Sequence, residues 1–229
     1  MNDKIIGIIG GMGPEATADL YMKIIKATKV KKDQDHFRVI IDSNAKIPDR
    51  TKAILGIGQS PVDALVETGK NLEKSDVDIA CLPCITSHYF IDEIQEKLSY
   101  PIMNALVEVG KYIEHDYPHV KNVGILATSG TVKTGLFSKY LPNMNVLYPD
   151  STTQVQKVME AIYGDEGIKN GNTGDKPLNL LKEASMELMD KGAELIISGC
   201  TEIALALKPH HLSRPLIDPM MVVANAITK

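Results

Sequence analysis

The sequence predicts an α/β protein of two pseudo-symmetric, doubly wound lobes, each on a mostly parallel sheet, with the active site in the cleft between them. Two observations carry that prediction. Short β-branched runs alternate with amphipathic segments of helical period, the pattern of strands joined in parallel by crossover helices. The second half of the chain then repeats the plan of the first.

Residues 4–9 (KIIGII) form a β-branched run that stops at glycines and reads as a buried parallel strand. Gly10-Gly11-Met12-Gly13 turns the chain. Pro14 and Glu15 suit a first helical turn, where a missing N–H costs nothing and an acid meets the positive dipole end. That helix is predicted over residues 14–28, and a second strand over 37–42 leads into a turn-rich loop through Asn44 and Pro48. Residues 61–74 read as a helix with Val62, Leu65, Val66, Gly69 and Leu72 along one face. A third strand at 77–82 ends at Pro83-Cys84, and 87–98 is helical again.

The repeat is explicit. Lys121-Asn122-Val123-Gly124-Ile125-Leu126 matches Lys4-Ile5-Ile6-Gly7-Ile8-Ile9 at an offset of 117, which also carries Gly13 onto Gly130 and Thr17 onto Thr134. The strand at 77–82 corresponds to 193–198, followed by Cys84 and Cys200 respectively. Gly13 lies 71 positions before Cys84, and Gly130 lies 70 before Cys200. Residues 1–104 with 213–229 are expected to form the N-terminal lobe, and 105–212 the C-terminal lobe. In open α/β sheets ligands bind beyond the carboxyl ends of the strands. Each cysteine follows such an end, so lobes facing as pseudo-twofold mates would set two thiols across one cleft.

Composition narrows the function. The 229 residues carry a net charge of −4 with no block of like charges, so the basic face that phosphate binding needs is missing and nucleic acid is not an expected partner. With no tryptophan and 3 phenylalanines, aromatic stacking platforms are not expected either. No apolar run approaches the roughly 20 residues that span a bilayer, so no membrane partner is expected. Met1-Asn2-Asp3-Lys4 lacks the architecture of a signal peptide. Three cysteines do not make a disulfide framework, and the reading is a reduced, cytoplasmic protein.

Most buried cysteines are inert packing, and Cys81, inside a strand, reads that way. Cys84 and Cys200 each precede a helix-like segment, 86–98 and 201–207, whose N-terminus favours the thiolate. A functional pair is the favoured reading. Three rivals stand beside it: a redox Cys81-Leu82-Pro83-Cys84 motif, a zinc site of Cys81, Cys84, His88 and Cys200, and a lone Cys84 nucleophile with His88 as its base. Gly11-Met12-Gly13-Pro14-Glu15-Ala16 also fits G-x-G-x-x-A, and Asp42 ends the second strand, the outline of a nicotinamide dinucleotide site. Pro14 removes an N–H donor and Glu15 puts negative charge where phosphates would sit, whereas a small carboxylate fits such a backbone nest.

Taken together, Gly10-Gly11-Met12-Gly13-Pro14-Glu15-Ala16-Thr17, Ile47-Pro48-Asp49-Arg50-Thr51, Pro83-Cys84-x-Thr86-x-His88, Ala127-Thr128-x-Gly130-Thr131 and Gly199-Cys200-Thr201-Glu202 resemble the aspartate/glutamate racemase family over nearly the whole chain. The resemblance implies a pyridoxal-independent racemase with no cofactor, two similar lobes, paired cysteines as catalytic bases and a homodimer. Glutamate racemases of cell-wall synthesis carry Asp-Ser-Gly after the first strand and a histidine after Gly-Cys-Thr. This chain has Gly10-Gly11-Met12 and Glu202 there, so it resembles the aspartate-type branch. In that branch the motif arginine, here Arg50, contacts the substrate's side-chain carboxylate, and Lys169 is similarly placed. The family often reads Cys-Asn-Thr where this chain has Cys84-Ile85-Thr86, which removes a polar contact and opens the way to altered selectivity.

The expected reaction is racemisation of a small acidic amino acid, with Cys84 and Cys200 exchanging a proton on opposite faces of Cα. Backbone N–H groups around Met12, Gly13 and Thr128 to Thr131 would hold carboxylates and developing charge. Arg50 and Lys169, the latter after a Gly- and Asp-rich loop suited to a lid, would read the distal carboxylate. Ile85, Thr86, Ser87, Thr128, Thr131 and Thr201 complete the expected substrate contacts, the hydroxyls either donating to substrate or capping helices. Glu202 either orients Cys200 or caps the helix it begins. A one-cysteine decarboxylase or isomerase of the same superfold, a nicotinamide-dependent oxidoreductase and a non-catalytic amino-acid binder are the alternatives.

Overall fold

The computed structural model describes residues 4–229. Met1, Asn2 and Asp3, which belong to the segment read as lacking a signal peptide, lie outside the described residues. Two compact units divide the chain: one runs to Glu108 and resumes for Met220–Lys229, and the other is Val109–Pro219.

In the first unit β1 (Ile5–Gly10), α1 (Pro14–Ala27), β2 (Arg38–Ser43), α2 (Arg50–Ile54), α3 (Val62–Glu73), β3 (Ile79–Cys81), α4 (Ile91–Gln95) and β4 (Ile102–Met103) follow in order. The strands form a parallel sheet in the order β2-β1-β3-β4. Ile6, Ile8 and Ile9 of β1 are fully buried, which explains why that run lacks polar alternation. Asp78 caps the start of β1, its carboxylate accepting from Ile5 N at 2.6 Å.

The unit boundary falls within α5 (Ala105–Asp116). The second unit continues with β5 (Asn122–Leu126), α6 (Ser129–Lys133), α7 (Leu136–Tyr140), β6 (Asn145–Leu147), α8 (Ser151–Thr153), α9 (Glu160–Tyr163), α10 (Asp175–Asp190), β7 (Leu195–Ser198), α11 (Ile203–Ala206) and β8 (Leu216–Ile217); α12 (Pro219–Ile227), which from Met220 belongs to the first unit, closes the chain. A π-helical stretch, Gln154–Met159, joins α8 to α9. Its sheet is again parallel, in the order β6-β5-β7-β8. Among the described residues each unit thus holds one four-stranded sheet of the same topology.

The correspondence extends to side chains. Glu194 repeats the role of Asp78, accepting from Lys121 N and Asn122 N at 2.8 Å each at the start of β5. Gly7 and Gly124 are both places where a helix presses on the central strand. A Cβ on Gly7 would lie 2.8 Å from Val77 Cγ1 and 2.9 Å from Leu72 Cδ1. On Gly124 it would lie 2.7 Å from Ile196 Cδ1 and 3.1 Å from Leu188 Cβ. In each sheet the connections leave the central pair of strands in opposite directions, so the switch point lies at the carboxyl ends of β1 and β3, and of β5 and β7.

The segments behind the two cysteines are shorter than the sequence suggests. Ile85–Phe90 is a 3₁₀ helix ahead of α4, and only the four residues of α11 follow Cys200. β-Branched Ile85 and Thr86 disfavour α-helix there, and Lys208, extended ahead of Pro209, stops the second segment. Neither thiol therefore faces the aligned dipole of a long helix. Among the described residues no helix is long and apolar enough to cross a membrane.

Candidate active site

In the first unit the expected site residues gather at the switch point between β1 and β3. Gly11 has φ +95°, and a Cβ there would fall 2.3–2.6 Å from Asn44 backbone atoms, so only glycine fits. Thr17, in α1, ties the loop together: its Oγ1 accepts from Gly11 N at 2.8 Å and donates to Gly13 O at 2.9 Å. Gly13 caps α1. Arg50 is buried at the start of α2, its Nη1 donating to Ile47 O (3.3 Å) and Pro48 O (3.0 Å) and its Nη2 to Met12 O (3.5 Å). The Met12 side chain is buried, with Sδ accepting from Ser87 Oγ at 3.3 Å. Met12, Arg50 and Ser87 thus meet where β1 and β3 end, beside Cys84, with Ile85 and Thr86 also buried. As placed, Arg50 ties its loop to the glycine loop through backbone carbonyls.

In the second unit the expected site residues gather beyond β5 and β7, with different side chains. Thr128 caps α6, its Oγ1 accepting from Thr131 N at 3.4 Å, and the two threonine hydroxyls lie 3.3 Å apart. Cys200 Sγ donates to Glu202 Oε2 at 3.0 Å, and Thr201 Oγ1 donates to the same oxygen at 3.1 Å. The Lys169 ammonium pairs with Glu202 Oε1 and lies 5.5 Å from the Tyr163 ring centroid. Burial works against a charge on Glu202, but adjacent Lys169 and the Cys200 hydrogen bond outweigh it and hold the carboxyl below its ordinary range. Lys169 sits in a 3₁₀ turn, Ile168–Asn170. Asn170 Nδ2 braces that loop to Gly164 O (3.0 Å), and Asn172 Nδ2 to Glu166 O (2.9 Å), so the predicted lid is a cross-tied turn.

Gln154, at the head of the π-helical stretch, is a neighbour that sequence reasoning missed. Its Nε2 donates to Ala127 O at 2.9 Å and to Ser129 Oγ at 3.3 Å, bracing the loop after β5, while its buried Oε1 has no partner among the described residues. Nothing in its local sequence marks it, since the contact spans 27 positions. A π-helical interruption, often found at functional sites, has no simple sequence signal.

A family model described as Asp/Glu/Hydantoin racemase matches residues 9–227. The chain belongs to the Asp/Glu/hydantoin racemase family. The broad-specificity amino-acid racemase RacX of Bacillus subtilis is 28% identical over 230 residues, covering 97% of this chain and 96% of its own. The Picrophilus torridus aspartate racemase is 25% identical with a TM-score of 0.78, over 98% of this chain and 94% of that one. An aspartate racemase homologue from Pyrococcus horikoshii shares the fold at 23% identity, with a TM-score of 0.74 over 98% and 97% of the two chains. Relatives and neighbours are amino-acid racemases, and membership makes this chain an isomerase of that kind.

Within this racemase the other thiol candidates separate cleanly. Cys81 lies in β3, and burial pushes its thiol up to about 12, which makes it a poor attacking thiolate near neutral pH. His88 is engaged at both ring nitrogens: Nδ1 donates to Cys84 O at 3.0 Å, and Nε2 accepts from Ala105 N at 3.1 Å. Burial lowers its pKa to about 4, against the raising effect of its backbone hydrogen bonds at Cys84 and Ile85. It is a neutral strut, with no lone pair left to serve as a base for Cys84. Among the described residues no three His, Cys, Asp or Glu side chains gather as metal ligands.

Proposed function

We propose that this racemase inverts the α-carbon of an amino acid, aspartate or glutamate first, with Cys84 and Cys200 as opposed acid and base and without pyridoxal. One observation carries the reading. In a chain of this family, each repeat puts a cysteine directly after its third strand, at the switch point of its sheet. A racemase must take a proton from one face of Cα and return one to the other, which two groups of equal chemistry accomplish with the least motion. One sulfur begins as thiolate and takes the α-proton, while the other begins as thiol and gives its own. The bases exchange roles with substrate hand. Backbone N–H groups after β1 and β5 would bind the α-carboxylate and stabilise the carbanion as charge spreads into it.

A broader substrate range is a second reading, and particular residues favour it. Ile85 is buried and apolar beside Cys84, Arg50 donates to backbone carbonyls, and Lys169 is paired with Glu202. A site so arranged has fewer groups committed to a side-chain carboxylate. Three free cysteines fit a reducing compartment such as the cytoplasm, and the family resemblance supports a homodimer, which light scattering on the purified protein would check.

The deciding experiment is proton NMR in D2O over a panel of L- and D-amino acids with no cofactor added. The expected result is deuterium at Cα with inversion, fastest for aspartate or glutamate. A panel dominated by neutral or basic residues would select the broader reading. Replacing either cysteine with serine should abolish inversion while leaving circular dichroism unchanged, and full activity in either variant would sink the two-thiol account.

A further inference from the structure

The surroundings of the two cysteines share a fold but not their charge. Two positions after Cys84 stands Thr86, whereas two positions after Cys200 stands Glu202, buried and ionised. Both carboxylate oxygens of Glu202 are occupied, Oε1 by the Lys169 ammonium and Oε2 by the Cys200 thiol at 3.0 Å and the Thr201 hydroxyl at 3.1 Å. A sulfur that donates to a carboxylate is a thiol, because a thiolate in that place would meet a like charge. Glu202 is the carboxylate that accepts from the sulfur, and Lys169, paired with Glu202, also holds its ammonium over the Tyr163 ring.

We propose that Glu202 is a positioning residue for Cys200, holding it protonated and aimed while Lys169 balances the carboxylate, so that Cys200 rests as the acid of the pair and Cys84 as the base. The proposal rests on the two-thiol reading above. Its chemistry balances. Cys84 thiolate forms a bond to the α-proton, and the C–H electrons stay on the substrate as a carbanion. The Cys200 S–H bond breaks toward the opposite face of Cα, leaving its electrons on sulfur. Turnover leaves Cys84 as thiol and Cys200 as a thiolate facing the Glu202 carboxylate; Cys200 then takes a proton from solvent and Cys84 gives one up to solvent, which resets the enzyme. L- and D-amino acids are equally stable, so kcat/KM must be equal in the two directions. The resting asymmetry therefore shows in kcat and KM taken separately.

The test follows alkylation of Cys200 by iodoacetamide, read by peptide mass spectrometry from pH 6 to 10, in the full-length protein. Variants Glu202→Gln, Lys169→Met and the double variant are compared alongside racemisation kinetics. Removing the carboxylate charge should speed Cys200 alkylation at neutral pH about tenfold and lower racemase kcat. Removing the ammonium alone should slow alkylation several-fold, because the carboxylate then acts unbalanced. The double variant leaves no unpaired buried charge, and should alkylate faster than Lys169→Met. Opposite responses of the two single variants are not expected of residues that merely pack. Equal profiles in all proteins, or both single variants shifting the same way, would overturn the positioning role. If Cys200→Ser still racemises, the two-thiol reading itself fails. If Cys200→Ser is inactive but alkylation ignores Glu202, only the present inference falls.

Discussion

At the scale of single residues, spacing identifies side chains capable of chemistry, and hydrogen bonding decides which are available for it. His88 stands four positions after Cys84 and reads as a possible base, yet both of its nitrogens are engaged by backbone groups. Ala105 N, one of those partners, is 17 positions away, beyond what a local motif reveals. Its neutrality has a measurable consequence. The folded pKa of about 4 lies below the unfolded 6.5. Between those values the unfolded chain binds the extra proton, so stability rises with pH through that window. The contribution is complete above the unfolded value, on the order of 3 kcal/mol, and is lost as pH falls toward the folded one. Urea unfolding at pH 7.5 and pH 5 should show this loss in the wild type, with a flatter dependence in His88→Gln. An identical slope in both proteins would assign the pH dependence elsewhere.

Among elements, the glycine loop and the helix behind it behave as one part. Gly10 to Thr17 was legible as a turn entering a helix because glycine, proline and a first-turn acid are local signals. Why Gly11 must be glycine was not legible, since the clash is with Asn44, far along the chain. Thr17→Val removes the acceptor for Gly11 N and the donor to Gly13 O without changing shape. The expected loss is about 1–3 kcal/mol, checked by thermal unfolding, with a raised KM as the loop loosens. Gly11→Ala should be worse, because it adds a backbone clash to an unfavourable φ. If either variant unfolds and turns over like the wild type, the loop is not held as described. The sequence reads as helix-like after each cysteine, over 86–98 and 201–207. A 3₁₀ run and a four-residue helix stand there instead, because β-branched residues and Pro209 act against longer ones.

For the whole molecule, duplication is the organising fact. Matching strand orders, matching glycines at Gly7 and Gly124, and matching carboxylate caps at Asp78 and Glu194 show that one design was used twice. Two-thiol racemisation then predicts complementary defects. Cys84→Ala should still exchange the α-proton of one enantiomer with D2O, and Cys200→Ala that of the other, neither with inversion. If both variants exchange the same enantiomer, the cysteines do not serve opposite faces. The α/β class, the repeat and the cysteines at equivalent strand ends follow from the amino acids alone, because strand period, glycine turns and residue spacing are written along the chain. Tertiary structure decided what each charged or polar group does: Arg50 held to backbone carbonyls, Lys169 on Glu202, Glu202 on the Cys200 thiol and His88 locked neutral. Partner choice and burial depend on groups brought together from distant positions, and those are set only when the sheet and its loops have closed.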